Sequence, residues 1–477
     1  MNTKRAISTL LILTSLLAAA SCGSTQSDST TDTTGGETTS APETTRDYPE
    51  ITPEMNYNGY EFRIIGYEGG YGTHNDYVIE DGEDTSDIIS DAIYRRNSKV
   101  EELLGIKITA QWGQEIRNTV LNSVTAGDDE FDLVFVPGFE LAASLGDKTY
   151  VNLLDQKNVD WTKPWFNQSF IDAIAINGKL NFIDSAISTQ FANATAAVFC
   201  NKKLATDYDF GDMYGMVRDG TWTVDKLYDF SQSAVKDLNG DGEIHDDADQ
   251  LGILGNSGLT YMLFKGMGGN FIVPDGNGLK DIFGEEGNVD KMTYILTRFP
   301  KSDVFESGTN DAAKAAFIDG RALFYNTALG SFNWFRDVSF EFGVLPMPKL
   351  DEKQSDYRCN VNYWANSFMG IPKTVSDLQK VSDITNVLAA ESYYVLRNAY
   401  IDNAIKHKYA PTEDDTEMVN IILDSCVYDI AIIYQIGGLA KQFENMFYEG
   451  KDNVVSSYES IKKSVSAAID EFVNSVD

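Results

Sequence analysis

Histidine and cysteine are scarce in this chain. Only three His (74, 245, 407) and four Cys (22, 200, 359, 426) occur in 477 residues, and no two lie close enough for a zinc or redox motif. Imidazole-centred triads and disulfide frameworks are therefore poor readings. Positive charge is also short: 38 Lys+Arg stand against 72 Asp+Glu, a net charge of −34. Such a surface repels phosphate backbones, which excludes nucleic acid as a partner. Past the first residues there is no run of 18 apolar residues, so no transmembrane helix is expected. What is present is an ordinary globular composition, 43% hydrophobic and 23% charged. At this length it should divide into two lobes.

Lys4 and Arg5 precede an apolar run, Ala6 to Ala20, that is too short to span a bilayer as a helix, and Ala18-Ala19-Ala20-Ser21 leads into Cys22. Small residues ahead of Cys resemble the lipobox of bacterial lipoproteins, which implies cleavage after residue 21 and lipidation of Cys22. Residues 23–47 hold 13 Ser/Thr in 25 positions and no aliphatic residue larger than Ala. Such a stretch cannot offset its ordering entropy by burial and reads as a tether. The expected location is the extracytoplasmic face of the cell membrane, held by an N-terminal lipid anchor.

From Tyr60 the pattern alternates strand and helix: strands at Tyr60–Ile65, Ile106–Trp112 and Phe131–Val136, with amphipathic helices between them. Further strands are expected at Ala194–Cys200 and Gly320–Tyr325. Helices are expected at Val224–Lys236, at Asp377–Tyr400 with Ser376 as N-cap, and from Asn453. In open α/β sheets ligands bind beyond the carboxyl ends of the strands. The loops there carry Tyr67, Glu68, Trp112, Phe139 and Glu140. Rings beside carboxylates suit a sugar, which offers an apolar C–H face and hydroxyls that need paired hydrogen bonds.

Several blocks, in order, resemble the extracellular solute-binding proteins of ATP-driven (ABC) importers, carbohydrate type. They are Phe131-Asp132-Leu133-Val134-Phe135-Val136 followed by Val151-Asn152-Leu153-Leu154-Asp155; Ala196-Ala197-Val198-Phe199-Cys200-Asn201-Lys202-Lys203-Leu204; Gly220-Thr221-Trp222-Thr223-Val224-Asp225-Lys226-Leu227; and Phe317 to Phe324, Phe342 to Pro346 and Gly370 to Thr374. The resemblance implies an α/β, two-lobed fold of the type II periplasmic-binding-protein kind, closing by hinge bending, with crossings near Thr195, Pro346 and Ala390. The division expected is 1–21 signal peptide, 22–57 lipidated Cys and tether, 58–195 with 346–390 as the N-terminal lobe, and 196–345 with 391–477 as the C-terminal lobe. It implies a monomeric, non-catalytic receptor for a sugar, delivering to permease subunits. The second lobe and crossing region should add Asn326, Trp334, Tyr363 and Trp364 to the site. A secreted glycan-degrading enzyme and a calcium-dependent adhesion module are the alternatives; no motif isolates a catalytic carboxylate pair.

Asp237-Leu238-Asn239-Gly240-Asp241-Gly242-Glu243 opens like an EF-hand loop, with oxygens at alternate positions and Gly at the sharp turn. Asp237, Asn239, Asp241, Glu243, Asp247 and Asp249 are the candidate ligands for a structural calcium ion. No organic cofactor is expected. Gly66 to Gly72 follows a strand without phosphate-loop spacing and reads as a cleft-edge loop containing no nucleotide site. His74 is a candidate hydrogen-bonder in the cleft.

Overall fold

A computed structural model describes residues 46–68, 77–78, 87–244, 248–255, 258–300, 303–306, 310–335, 337–405 and 412–476. The signal segment, Cys22, most of the tether, the loop with His74, and Asp247 lie outside the described residues. The compact unit runs from Tyr48 to Asp477.

The chain opens with β1 (Tyr60–Tyr67), the helix Ile88–Leu104, β2 (Ile106–Gly113), the helix Ile116–Ala126, and β3 (Leu133–Pro137) leading into the helix Gly138–Gly146. These follow the sequence reading to within a few residues, because each has its own local signal. Asp87 caps the first helix by accepting from the Ile89 and Ser90 amides, and Gly105 ends it at φ 60°. β1 pairs in parallel with both β2 and β3. The chain then gives β4 (Ala196–Asn201), β5 (Leu251–Leu254), the hairpin β6 (Ile272–Asp275) and β7 (Gly278–Asp281), β8 (Phe305–Glu306), β9 (Ala322–Ala328) and β10 (Phe342–Leu345). It continues through β11 (Cys359–Asn360), β12 (Ser367–Gly370), the helix Leu378–Ile405, the helix Glu413–Asp424, β13 (Cys426–Val427) and the closing helix Val454–Val476.

Two larger sheets result, in the orders β12-β3-β1-β2 and β10-β4-β9-β5-β8, beside the two-stranded pairs β6-β7 and β11-β13. β12 runs antiparallel to β3, so the first lobe is completed by chain returning from the second. β3, buried at every residue, reads as a continuous apolar run because the sheet is covered on both faces. Its contact with β1 is fixed by Asp132, fully buried, which accepts from Tyr60 Oη at 2.6 Å and from the Arg63 guanidinium.

Thr195, the first expected crossing, is bridged to Val361. Pro346, however, stays within the second lobe: its carbonyl accepts from Trp222 Nε1, and Lys349 bridges Thr223. The return begins only at β11. Ala390 is buried within an unbroken helix of 28 residues, Leu378–Ile405. The next helix is already on the second lobe, where Arg218 meets Asp414 and Glu417. β13 then pairs in parallel with β11, making a short ribbon at the crossing. The N-cap of the long helix is also one residue later than expected: Asp377 Oδ1 accepts from the Lys380 amide, while the Ser376 amide donates to Asp129.

Candidate functional site

β1, β2 and β3 end together, in the register Gly66 to Trp112 and Tyr67 to Gly113. Over this edge lies a short turn, Tyr363–Ala365, held by Asn362, whose side chain accepts from the Trp364 amide. The turn approaches the helix Gly138–Gly146 so closely that a Cβ on Gly138 would sit 2.0 Å from the Tyr363 carbonyl oxygen. Only glycine fits there. The Gly138 amide also donates to Asn366 O at 3.0 Å.

The result is a run of rings. Tyr67 and Phe139 meet edge to face at 5.2 Å, Phe139 and Trp364 lie tilted at 5.2 Å, and Tyr363 flanks Trp364 at 6.4 Å. Trp364 is 59% exposed, and its Nε1 donates to Tyr363 Oη at 2.7 Å. From beyond the ribbon, Gln435 Nε2 donates to the same phenol oxygen at 2.6 Å. Burial, with a lesser push from the Glu444 carboxylate, holds the Tyr363 phenol above its ordinary range. Glu444 itself accepts from Tyr261 Oη and pairs with Lys441 at 2.8 Å. Gln435 is a non-glycine residue at φ 51°, ψ 37°, a backbone state that costs free energy and tends to mark functional positions.

Four of the nine residues singled out from sequence are thus brought together: Tyr67, Phe139, Tyr363 and Trp364. Trp112 joins the same edge through Tyr77, 6.4 Å away and stacked on Phe135. Glu68 is exposed at the end of β1. The other three point elsewhere. Glu140 accepts from the Arg117 amide at 2.7 Å and so caps the helix Ile116–Ala126; burial raises its pKa. Asn326 is 3% exposed inside the second lobe, its amide donating to Ala197 O and Met347 Sδ. Trp334 packs beside Tyr325 and Phe335, with Lys314 Nζ 5.1 Å from its ring centroid. Gln435, Glu444 and Tyr261 were not legible as site residues. Gln435 precedes a Gly-Gly pair, but nothing local says that it reaches Tyr363.

On the other side of the ribbon lies a cavity of about 500 Å³, lined among others by Trp165, Asp184, Tyr393, Arg397, Tyr400 and Cys426. Asp184 is buried there, 3% exposed. It accepts from Tyr428 Oη and from Asn366 Nδ2. Burial pushes its carboxyl up to about 7 in spite of these bonds. Because the folded protein holds this proton more tightly than the unfolded chain, ionising Asp184 costs stability. The cost is absent below about pH 4, grows through the window and is fully present above pH 7. The Tm should therefore rise as pH falls from 8 to 5, and rise less in Asp184→Asn. Parallel Tm curves for the two proteins would refute this reading.

In the second lobe, carboxylate oxygens of Asp237, Asp241 and Asp249 come within 4.8 Å of one another. The Gly240 and Gly242 amides turn inward onto Asp237, and Asp249, fully buried, accepts from the Leu238 amide. Asn239 Oδ1 accepts from the Asp241 amide, and the Glu243 amide donates to Asp241. The described part of the loop thus gathers three of the six expected ligands, with a donor set of hard oxygens.

No protein-family model matches the sequence, and no curated protein matches it. Solved structures do match the fold. A cyclo/maltodextrin-binding protein complexed with maltotetraose is 15% identical and covers 86% of this chain and 97% of its own, with a TM-score of 0.57. The cyclic α-maltosyl-1,6-maltose binding protein of Arthrobacter globiformis is 13% identical over 87% and 100%, with a TM-score of 0.58. An ABC substrate-binding protein of Listeria monocytogenes, in complex with cycloalternan, is 14% identical over 87% and 99%, with a TM-score of 0.52. The two sheets, the ribbon between them and this similarity agree, and the chain has the two-lobed α/β fold of the maltodextrin-binding solute receptors.

Proposed function

We propose that this protein is a non-catalytic receptor that captures an oligosaccharide and hands it to the permease of an ABC importer, anchored outside the cell membrane through a lipid on Cys22. The observation that carries the reading is the exposed ring of Trp364, set beside Phe139, which meets Tyr67, with the neighbouring Tyr363 hydroxyl accepting from the Gln435 amide. Stacked rings bind the C–H faces of successive sugar units, and amide and carboxylate groups fix hydroxyls. The named ligands of the structural neighbours, maltotetraose and cycloalternan, support an oligosaccharide. Among the described residues no helix is long and apolar enough to cross a membrane; the anchor is proposed from the small residues Ala18-Ala19-Ala20-Ser21 that lead into Cys22. Titration calorimetry against linear and cyclic α-glucans tests the proposal. Saturable one-to-one binding with the sugar recovered intact is expected; released reducing ends, or no binding across the panel, would overturn it.

The acidic loop is proposed to hold a structural calcium ion on Asp237, Asp241 and Asp249, with Asn239, Glu243 and Asp247 completing the shell. Calcium would offset part of the acidic excess and fix the turn. Chelation should lower the Tm by several degrees, with calcium restoring it. Asp249→Asn, which keeps an acceptor for the Leu238 amide, should abolish the response to added calcium. Identical melting curves with and without chelator would exclude the ion.

A further inference from the structure

Three cysteines are described, all of them buried. Two of them, Cys359 on β11 and Cys426 on β13, are direct register partners in the parallel ribbon where the chain passes between the lobes. Neighbouring strands lie about 4.8 Å apart, and side chains of register partners leave the ribbon on the same face. That separation falls inside the roughly 4.4 to 6.8 Å between Cα atoms that a disulfide requires. Cys200 is different: its strand partners are Phe324 and Gly343, so it faces no thiol across its own sheet. Neither ribbon thiol is tied to a strong partner. Cys359 Sγ accepts from the Met347 amide at 3.4 Å, and Cys426 Sγ lies 3.2 Å from Thr195 Oγ1.

We infer that Cys359 and Cys426 form a site of covalent modification, a disulfide across the inter-lobe ribbon. The oxidant is a low-molecular-weight disulfide: the two protein thiols lose two protons and two electrons, one S–S bond forms, and the small disulfide is reduced to two thiols. Burial pushes both thiols up, Cys426 to about 12, so the reactive thiolate is rare in the folded protein. The bond therefore forms while the chain folds and persists afterwards. Once made, it joins the segment leaving the second lobe to the one completing the ribbon. Lobe movement must then occur by bending of the ribbon as a unit and not by splaying of its strands. Closing the loop between residues 359 and 426 also restricts the unfolded chain.

The test is to refold the full chain from urea in reduced and oxidised glutathione, alkylate the remaining thiols and map the peptides by mass spectrometry. A linked peptide joining Cys359 to Cys426 is expected. The Tm should stand a few degrees above that of protein refolded with dithiothreitol. Cys200→Ser should keep both the link and the shift; Cys426→Ser should lose both while still folding, since serine can donate to the same neighbours. Recovery of Cys359 and Cys426 as free or glutathionylated thiols, or of either one linked to Cys200 or Cys22, would overturn the inference.

Discussion

Asp429→Ala should cost the fold about 3 to 5 kcal/mol, seen as a large fall in the urea midpoint, because it strands a buried ammonium. Lys265 and Asp429 are 1% and 0% exposed at their side chains and 3.2 Å apart. The carboxylate also accepts from the Phe271 amide at 2.9 Å and caps the helix Ile430–Ile433 through the Ala431 amide. Burial lowers the Lys265 pKa, with Asp429 opposing the shift. Removing the carboxylate leaves that charge facing the Asn270 Oδ1 acceptor without a counter-charge beside it. Combining Asp429→Asn with Lys265→Met removes both charges and keeps a cap, so the pair should recover more than half of the loss. A single-variant cost below about 1 kcal/mol would show that the pair does not hold this region. The helix it caps ends just before Gln435, so Asp429→Ala should also loosen the contact with Tyr363.

Trp364→Ala should weaken oligosaccharide binding by roughly 30- to 150-fold, since losing about 2 to 3 kcal/mol of stacking is what an uncovered indole face implies. At 59% exposure the ring contributes little to the core, and the Tm should hardly move. Trp364→Phe keeps a stacking face and should retain most of the affinity. Trp334→Ala provides the contrast. That ring packs within the second lobe against Tyr325 and Phe335, so its removal should lower stability and leave affinity close to that of the parent. Unchanged affinity in Trp364→Ala would discard the ring platform, and with it the stacking basis of the proposed function.

The elements were legible where a local signal exists. The apolar periodicity between Ile88 and Leu104, the capping Asp87 and the αL Gly105 define one helix without reference to anything else in the chain. The strand at Phe131–Val136 announced itself by continuous apolarity, and the acidic loop by its alternating oxygens. Tyr67 and Phe139 were legible because they follow strand ends, and Tyr363 and Trp364 because the resemblance pointed to aromatic rings near the crossing. Glu140 satisfies the same positional rule yet serves as a helix cap, because its neighbour in space is the Arg117 amide. Trp334 and Asn326 failed for the same kind of reason: their types fit the chemistry, but packing turned them inward.

Sequence by itself determined the secondary elements that carry a local signal, the two-lobed α/β class and the acidic loop, since period, composition and short spacing are properties of neighbouring residues. Tertiary structure alone decided which distant residues meet. Gln435 reaches Tyr363 across 72 positions, Tyr428 meets Asp184 across 244, and Cys359 stands opposite Cys426. Such pairings depend on the register in which separate segments cross between the lobes. Register is set by the packing of two whole cores, which no local stretch of sequence contains.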